Sequence, residues 1–235
     1  MIGVIVNALA IVVGGSFGLL AKKIIPKDWS NFILRGMGLC TMYIGISGAF
    51  EGNNTLVAVI SIAIGSILGL ILDLDKKINN GAQKIEGRFL KERKEGEVSF
   101  AEGFMTAIMI YCVGAMTIIG SLQAGLNGDN TMLFTKATMD GIGSIFFAAS
   151  LGFGVVASSA FVLVFQGSLV LLAQFVAPFL SDAVISEMTC TGSILLIGMA
   201  LNIIGVTNLK IMNYSPAIFL PIIVVPMFDW IGQLF

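Results

Sequence analysis

Apolar residues run along this chain in long blocks separated by short polar breaks. A helix crosses the hydrocarbon core of a bilayer in about 20 residues. Eight blocks reach that length, at 2–21, 32–50, 55–74, 101–122, 131–151, 153–178, 186–207 and 212–234. Most lack the one-sided stripe of a soluble helix. None shows the alternation of a barrel strand. The pattern predicts an all-α integral membrane protein with about eight transmembrane helices. The stretch from Thr131 to Pro178 is the least divided: no charged residue falls between Gly141 and Ser181, and the break is Leu151-Gly152-Phe153-Gly154. It is too long for one span and reads as two, one long kinked helix being the alternative.

One segment breaks the pattern. Residues 75–100 are rich in Lys, Arg and Glu, with Ile78, Ile85, Phe89 and Leu90 at near-helical spacing. They read as an amphipathic helix on the membrane surface or against the bundle, or as a solvated linker. Basic residues then set the orientation, because short cytoplasmic loops collect them. With the loop after the first span inside, twelve of the 13 basic residues fall inside or at the inner edge. The loops near 51–54, 125–130 and 180–187 hold none. Both termini are therefore expected outside. The exception is Lys136, within the fifth span.

The chain also repeats itself. GNNTLVAVISIAIGSI at 52–67 matches GDNTMLFTKATMDGIGSI at 128–145, with two residues inserted. GSFGLLAKKIIP at 15–26 matches GSLVLLAQFVAP at 167–178, and Ile44-Gly45 continues it at Ile197-Gly198. Spans 4–5 thus read as a copied hairpin, and spans 1–3 as a copy of spans 6–8. The shift from span 1 to span 6 is odd, so those copies are inverted across the membrane, a recurring plan of secondary transporters. Small-residue packing patterns, which recur without common ancestry, are the alternative. The chain divides into a first repeat (1–74), the basic segment (75–100), the hairpin (101–151) and the inverted repeat (152–235).

Composition agrees: 57% of residues are apolar and 11% charged, against about 25% charged in soluble domains. The natural solvent and first partner of this surface is the lipid bilayer. A net charge of -1 gives no reason to expect nucleic acid. Lys22 and Lys23 follow the first apolar run rather than precede it, so that run reads as a span and not a cleaved signal. The three cysteines, Cys40, Cys112 and Cys190, form no CxxC, and there is no histidine. No metal site or cofactor is expected.

The candidate chemistry lies inside the membrane. Lys136 and Asp140 are four apart and share a helix face. Charges at that depth are costly, so they pair or line a wet cavity. The pair reads as an ion or substrate site or a gate; the alternative is an ion pair that fixes packing, or a lysine snorkelling to the surface. Asn7 corresponds to Ser159 under the repeat register, and Gly14-Gly15-Ser16 to Gln166-Gly167-Ser168. Polar groups beside glycines suit a central site or close packing. Asn202 is a further polar candidate. Pro216, Pro221 and Pro226 interrupt the eighth span at five-residue spacing, and a discontinuous helix points to a transport site or gate, a kinked lipid-facing helix being the alternative. No nucleophile–base pairing or phosphate loop is present, so no catalytic residues, and no enzyme, are expected.

Three motifs resemble a known family: N-A-x-A-x-x-x-G-G-x-x-G at Asn7–Gly18, G-D-x-x-x-L-x-x-K-x-x-x-D at Gly128–Asp140, and F-A-x-S-L-G at Phe147–Gly152. The chain is similar along nearly its whole length to the bacterial YqgA/YdfK-type inner-membrane proteins. The resemblance implies a multi-spanning bacterial inner-membrane protein with a transport assignment and no established substrate. It places Lys136 and Asp140 on the family motif. The expected function is a transporter or channel for a small solute or ion. The competing class is a non-transporting scaffold, partner-binding subunit or sensor. A homodimer is compatible with so small a bundle.

Overall fold

The computed structural model describes residues 1–24, 27–77, 80, 98–112 and 115–232. The regular elements among them are all helical: α1 (Ile2–Ile24), α2 (Lys27–Ala49), α3 (Thr55–Leu72), α4 (Phe100–Cys112), α5 (Ala115–Leu126), α6 (Thr131–Leu151), α7 (Phe153–Leu171) with a short helix (Ala173–Val176) and a 3-10 turn (Ala177–Phe179) after it, α8 (Asp182–Ile204), a 3-10 helix (Ile211–Phe219) and α9 (Pro221–Gly232). Most of the basic segment at 75–100 lies outside the described residues. Four helices are long and apolar enough to cross a membrane, Ile2–Lys22, Thr55–Leu72, Phe153–Leu171 and Asp182–Ile204, or up to six if each of two bent pairs is one span.

Two apolar blocks differ from straight spans. The block at 101–122 is two helices, α4 and α5, bent by 60°. At that break the Thr117 hydroxyl donates to the Tyr111 carbonyl at 2.9 Å, a side chain standing in for a backbone donor. The block at 212–234 is the 3-10 helix followed by α9, with a 45° bend. Pro221 opens α9, where its missing N–H costs nothing, while Pro216 and Pro226 lie inside their helices. Residues 131–171 form two helices, separated by Gly152 at φ +82°. The helix assigned to 186–207 starts earlier, at Asp182, because the Ser181 hydroxyl caps it by accepting from Val184 N–H at 3.3 Å. It ends at Gly205, whose φ of +89° suits a residue without Cβ.

The polarity of the bundle is inside out. Val12, Phe17 and Leu20 on α1, Leu70 and Ile71 on α3, Ile142 and Phe146 on α6, and Val164 and Leu171 on α7 are exposed. Asn7, Thr41, Ser61, Lys136, Asp140, Gln166 and Glu187 are buried. Such a surface is solvated by lipid, and such an interior must satisfy its own polar groups.

Glycines set which helices touch and in which direction. Along α1, Gly3 meets Leu133, Gly14 meets Gly141, and Gly18 meets Ile145, so α1 and α6 run parallel. Gly15 meets Val156 near the start of α7, whereas Asn7 bonds Gln166 near its end, so α1 and α7 are antiparallel. On α2, Gly38, Gly45 and Gly48 meet Ile203, Ile197 and Ser193 of α8, again antiparallel. Gly65 and Gly69 of α3 pack against Ala217 and Asn213 of the 3-10 helix. α4 and α5 follow α7 in parallel, through Gly103 against Gly154 and Gly125 against Val170. The centre of the bundle is α8: 72% of its apolar window is buried, against 28% for α3.

A Cβ on Gly14 would strike the carbonyl of Gly141 and the hydroxyl of Ser144. Gly14→Val should therefore force α1 from α6 and cost about 1–3 kcal/mol. Gly36→Ala, whose Cβ meets open space, should be neutral within about 0.5 kcal/mol. Unfolding in mixed micelles compares the two.

Candidate functional site

Lys136 and Asp140 stand one turn apart on the face of α6 that meets α1. The Lys136 ammonium lies 3.0 Å from Asp140 Oδ1 and 2.9 Å from Oδ2. The two residues are only 6% and 7% exposed. A lysine stem has the reach to snorkel, but this one folds back along its own helix to its acid. Asp140 sits nine residues into α6, about 14 Å along its axis, so the pair lies between one end of the helix and its middle.

Two neighbouring helices complete the polar group. Asn7 Nδ2 of α1 donates to Asp140 Oδ2 at 3.1 Å and to Gln166 Oε1 of α7 at 3.2 Å. One amide thus bridges a carboxylate and a second amide. Asn7 and Gln166 are fully buried. The network is incompletely satisfied: Asn7 Oδ1 and Gln166 Nε2 have no hydrogen-bond partner. A buried polar atom without a partner costs about 1–3 kcal/mol, so the site holds one acceptor and one donor in reserve. Tyr111 and Cys112, at the end of α4 beside the bend, lie within electrostatic range of Asp140. The Tyr111 hydroxyl is also buried and unpartnered.

Below the network the interior is apolar. Ile11, Ala107, Ile108, Tyr111, Phe147, Ala148, Leu151, Val155 and Val162 form one cluster. At the end of α6 nearer the pair, a cavity of about 320 Å³ is lined by Met116, Gln123, Asp129, Thr131, Met132 and Thr135. Met132 is one turn from Lys136. The Asp129 carboxyl is held below the usual carboxylate range by the Thr131 backbone N–H and then by its hydroxyl, so the mouth of this cavity stays anionic. At the opposite end a cavity of about 470 Å³ is lined by Asp75, Ser99, Glu102, Asn202, Thr207 and Lys210, among others. Neither cavity is lined by Lys136 or Asp140.

Of the candidates read from the sequence, Lys136, Asp140, Asn7 and Gln166 come together. Ser16 does not join them: it is exposed and donates to its own Val12 carbonyl at 2.7 Å. Ser159 likewise serves its own helix, donating to the Val156 carbonyl. Asn202 ties down the loop after α8: its Nδ2 donates to the Leu209 carbonyl, and its Oδ1 accepts from Leu209 N–H and the Thr207 hydroxyl, all at 2.8 Å. The helix break beside the charged pair lies between α4 and α5, whereas Pro216 and Pro221 belong to segments packed on α3 and α8.

Sequence reading also missed Glu187. It is buried in α8 and accepts from the backbone N–H groups of Asn53 and Asn54, both at 2.7 Å. It thereby fixes the turn from α2 to α3. An acidic residue at an apolar block's edge gives no sign of this role.

Asp140→Ala leaves Lys136 buried without its partner and should cost about 3–5 kcal/mol. Lys136→Met combined with Asp140→Leu removes both charges and should recover most of that loss. Equal destabilisation of the two proteins in micelle unfolding would count against a desolvated pair.

Comparison with known proteins agrees with the motifs. Residues 2–226 match the family described as protein of unknown function (DUF554), and the chain belongs to that family. It is 31% identical over 229 residues to the uncharacterized membrane protein YdfK of Bacillus subtilis (strain 168), covering 96% of each chain. It is 28% identical over 221 residues to the uncharacterized protein YqgA of Escherichia coli (strain K12), covering 94% of each. No solved structure matches it. With its apolar helices and a relative named as a membrane protein, the chain is a membrane protein.

Proposed function

We propose that this member of the family moves a small solute or ion across the bacterial inner membrane through the polar network around Asp140. The observation that carries the reading is the network itself: a charged pair and two amides on three helices, buried, with unmade hydrogen bonds. A polar group assembled for packing alone is expected to close its hydrogen bonds. The bend between α4 and α5 adjoins it, with the Tyr111 carbonyl taken by the Thr117 hydroxyl, and a discontinuous helix is a pointer to a transport pathway.

The architecture proposed with this function is eight alternating spans with both termini outside. The helix directions support it. Spans separated by an even number run parallel (α1 with α6, the α4–α5 pair with α7), and those separated by an odd number run antiparallel (α1 with α7, α2 with α8, α3 with the 3-10 helix). Lys22 lies beside Gly152, at the end of the bundle where the loop basic residues are expected.

The inverted repeat finds support in the same pairs. Spans 1, 2 and 3 pack against spans 6, 7 and 8 respectively, an arrangement that a two-fold axis in the membrane plane allows. The copies differ in chemistry: Asn7 reaches Asp140, while its counterpart Ser159 bonds within its own helix. The first repeat thus gives the charged pair an amide at a position where its copy does not.

A scaffold is the second reading. It is favoured by the position of the pair in a close glycine seam, with neither described cavity opening on it. Uptake by proteoliposomes across a panel of ions and small solutes separates the two. Transport predicts flux that Asp140→Asn abolishes. Flux unchanged by Lys136→Ala and Asp140→Ala would remove the pair from the pathway.

A further inference from the structure

We infer that the cavity at the end of the bundle where α3 and α8 finish and α4 begins is a binding site for a small zwitterion with an apolar side group, the chemistry of a neutral α-amino acid. The inference stands apart from the transport reading. This cavity lies at the opposite end of the bundle from Lys136 and Asp140, and its occupancy is read without flux.

Its volume of about 470 Å³ is that of a small-molecule pocket, roughly 300–1,000 Å³. Four stretches of chain converge on it: Asp75 after α3, Ser99 with the first turns of α4, the end of α8 with the loop behind it, and the start of the 3-10 helix. Hydrogen bonds fix these walls. Asn202, the sequence candidate left out of the Asp140 network, holds the loop at Thr207 and Leu209 through three bonds of 2.8 Å. Ser99 Oγ accepts from Glu102 N–H at 3.1 Å, and Asn213 Oδ1 accepts from Asp75 N–H at 2.9 Å. A site whose walls are tied down before the ligand arrives loses less affinity to ordering them.

The lining then selects the ligand. Glu102 and Lys210 are exposed on the rim. Among the described residues neither has an ion-pair partner, and they do not pair with each other. Opposite charges that share one cavity without pairing suit a molecule that carries both: its ammonium meets Glu102 and its carboxylate meets Lys210. A simple anion would face the carboxylates of Asp75 and Glu102, and a simple cation would face Lys210. Met105, Met199, Ile203 and Met212 supply the apolar wall, half-buried or buried. Unbranched methionine side chains adapt to apolar groups of different shape, so the ligand carries an apolar group between its charged end and the bundle. Thr106 lines the same cavity, fully buried, with its hydroxyl unpartnered. Thr135, Thr138 and Thr189 each bond the carbonyl four residues back on their own helix. Thr106 does not, and its hydroxyl is an unused donor and acceptor in the wall.

The test uses the full-length protein in detergent, with leucine, isoleucine and methionine as probes and titration calorimetry as readout. At least one of the three should bind. Its N-acetyl derivative, which lacks the ammonium, and its amide, which lacks the carboxylate, should each bind at least about fivefold more weakly. Affinity should fall as salt rises, because both charges sit on an exposed rim. Glu102→Gln should bring the amino acid level with its N-acetyl derivative, and Lys210→Gln should bring it level with its amide. Both variants should melt like the parent, since both residues are exposed. No binding of any of the three up to about 10 mM, where a millimolar site is mostly filled, overturns the inference, as does parental affinity in both variants. Phosphatidylethanolamine carries the same two charges on a lipid headgroup. Stabilisation by that lipid in nanodiscs, lost in both variants and without any response to free amino acids, overturns the soluble ligand. Amino-acid binding with no flux of any solute supports the site and overturns transport. Flux that needs Asp140, with no amino-acid binding, overturns the site and leaves the pathway standing.

Discussion

Two opposite charges one turn apart on α6 sit where neither water nor lipid can solvate them, and the packing around them follows from that. Each makes the other tolerable. Their spacing holds only on an intact helix. Asn7 and Gln166 then supply what a salt bridge alone leaves open, a donor to the second carboxylate oxygen and an acceptor behind it. These two amides come from α1 and α7, so the charged pair fixes which helices must be neighbours and how deep each must sit.

Glycine makes that neighbourhood sterically possible. Gly3, Gly14 and Gly18 bring α1 close enough to α6 for the short Asn7 side chain to reach Asp140. The same device recurs between α2 and α8 and between α3 and the 3-10 helix. Lipid offers no hydrophobic drive for helices to associate, so close packing and buried hydrogen bonds must do it. The result is a bundle that is tight around its polar centre and open at both ends. A closed polar centre with unmade hydrogen bonds, with a cavity toward each end, is compatible with the transport proposed above.

Much of this was legible from residue patterns, for physical reasons. Apolar block length announces helices in lipid because 1.5 Å per residue must cover a fixed thickness. Lys136 and Asp140 stood out because charge in an apolar run is costly. Asn7 and Gln166 followed from the repeat register, which sets polar groups beside glycines at corresponding positions. Legibility ended where a side chain can satisfy itself locally. Ser16 and Ser159 looked like Asn7 in the sequence, but a serine hydroxyl reaches the carbonyl three or four residues back on its own helix, and both do so. Asn202 lies far enough along α8 to serve the following loop. The repeated G-x-N-T motif was also ambiguous: Asn54 caps α3 by accepting from Leu56 N–H, while Asn130 accepts from Gly3 N–H across to α1. The bend after Cys112 had no proline to announce it, and Glu187 needed the α2–α3 turn in place before its role was visible.

The central claim is that Asn7, from a different helix, is energetically coupled to Asp140. A double-mutant cycle over Asn7→Ala, Asp140→Asn and the combined protein, followed by reversible unfolding in mixed micelles, measures that coupling directly. The account predicts an interaction energy of about 1–2 kcal/mol, within the range of residues that share a hydrogen bond. Additive single effects, with no coupling beyond experimental error, would contradict it.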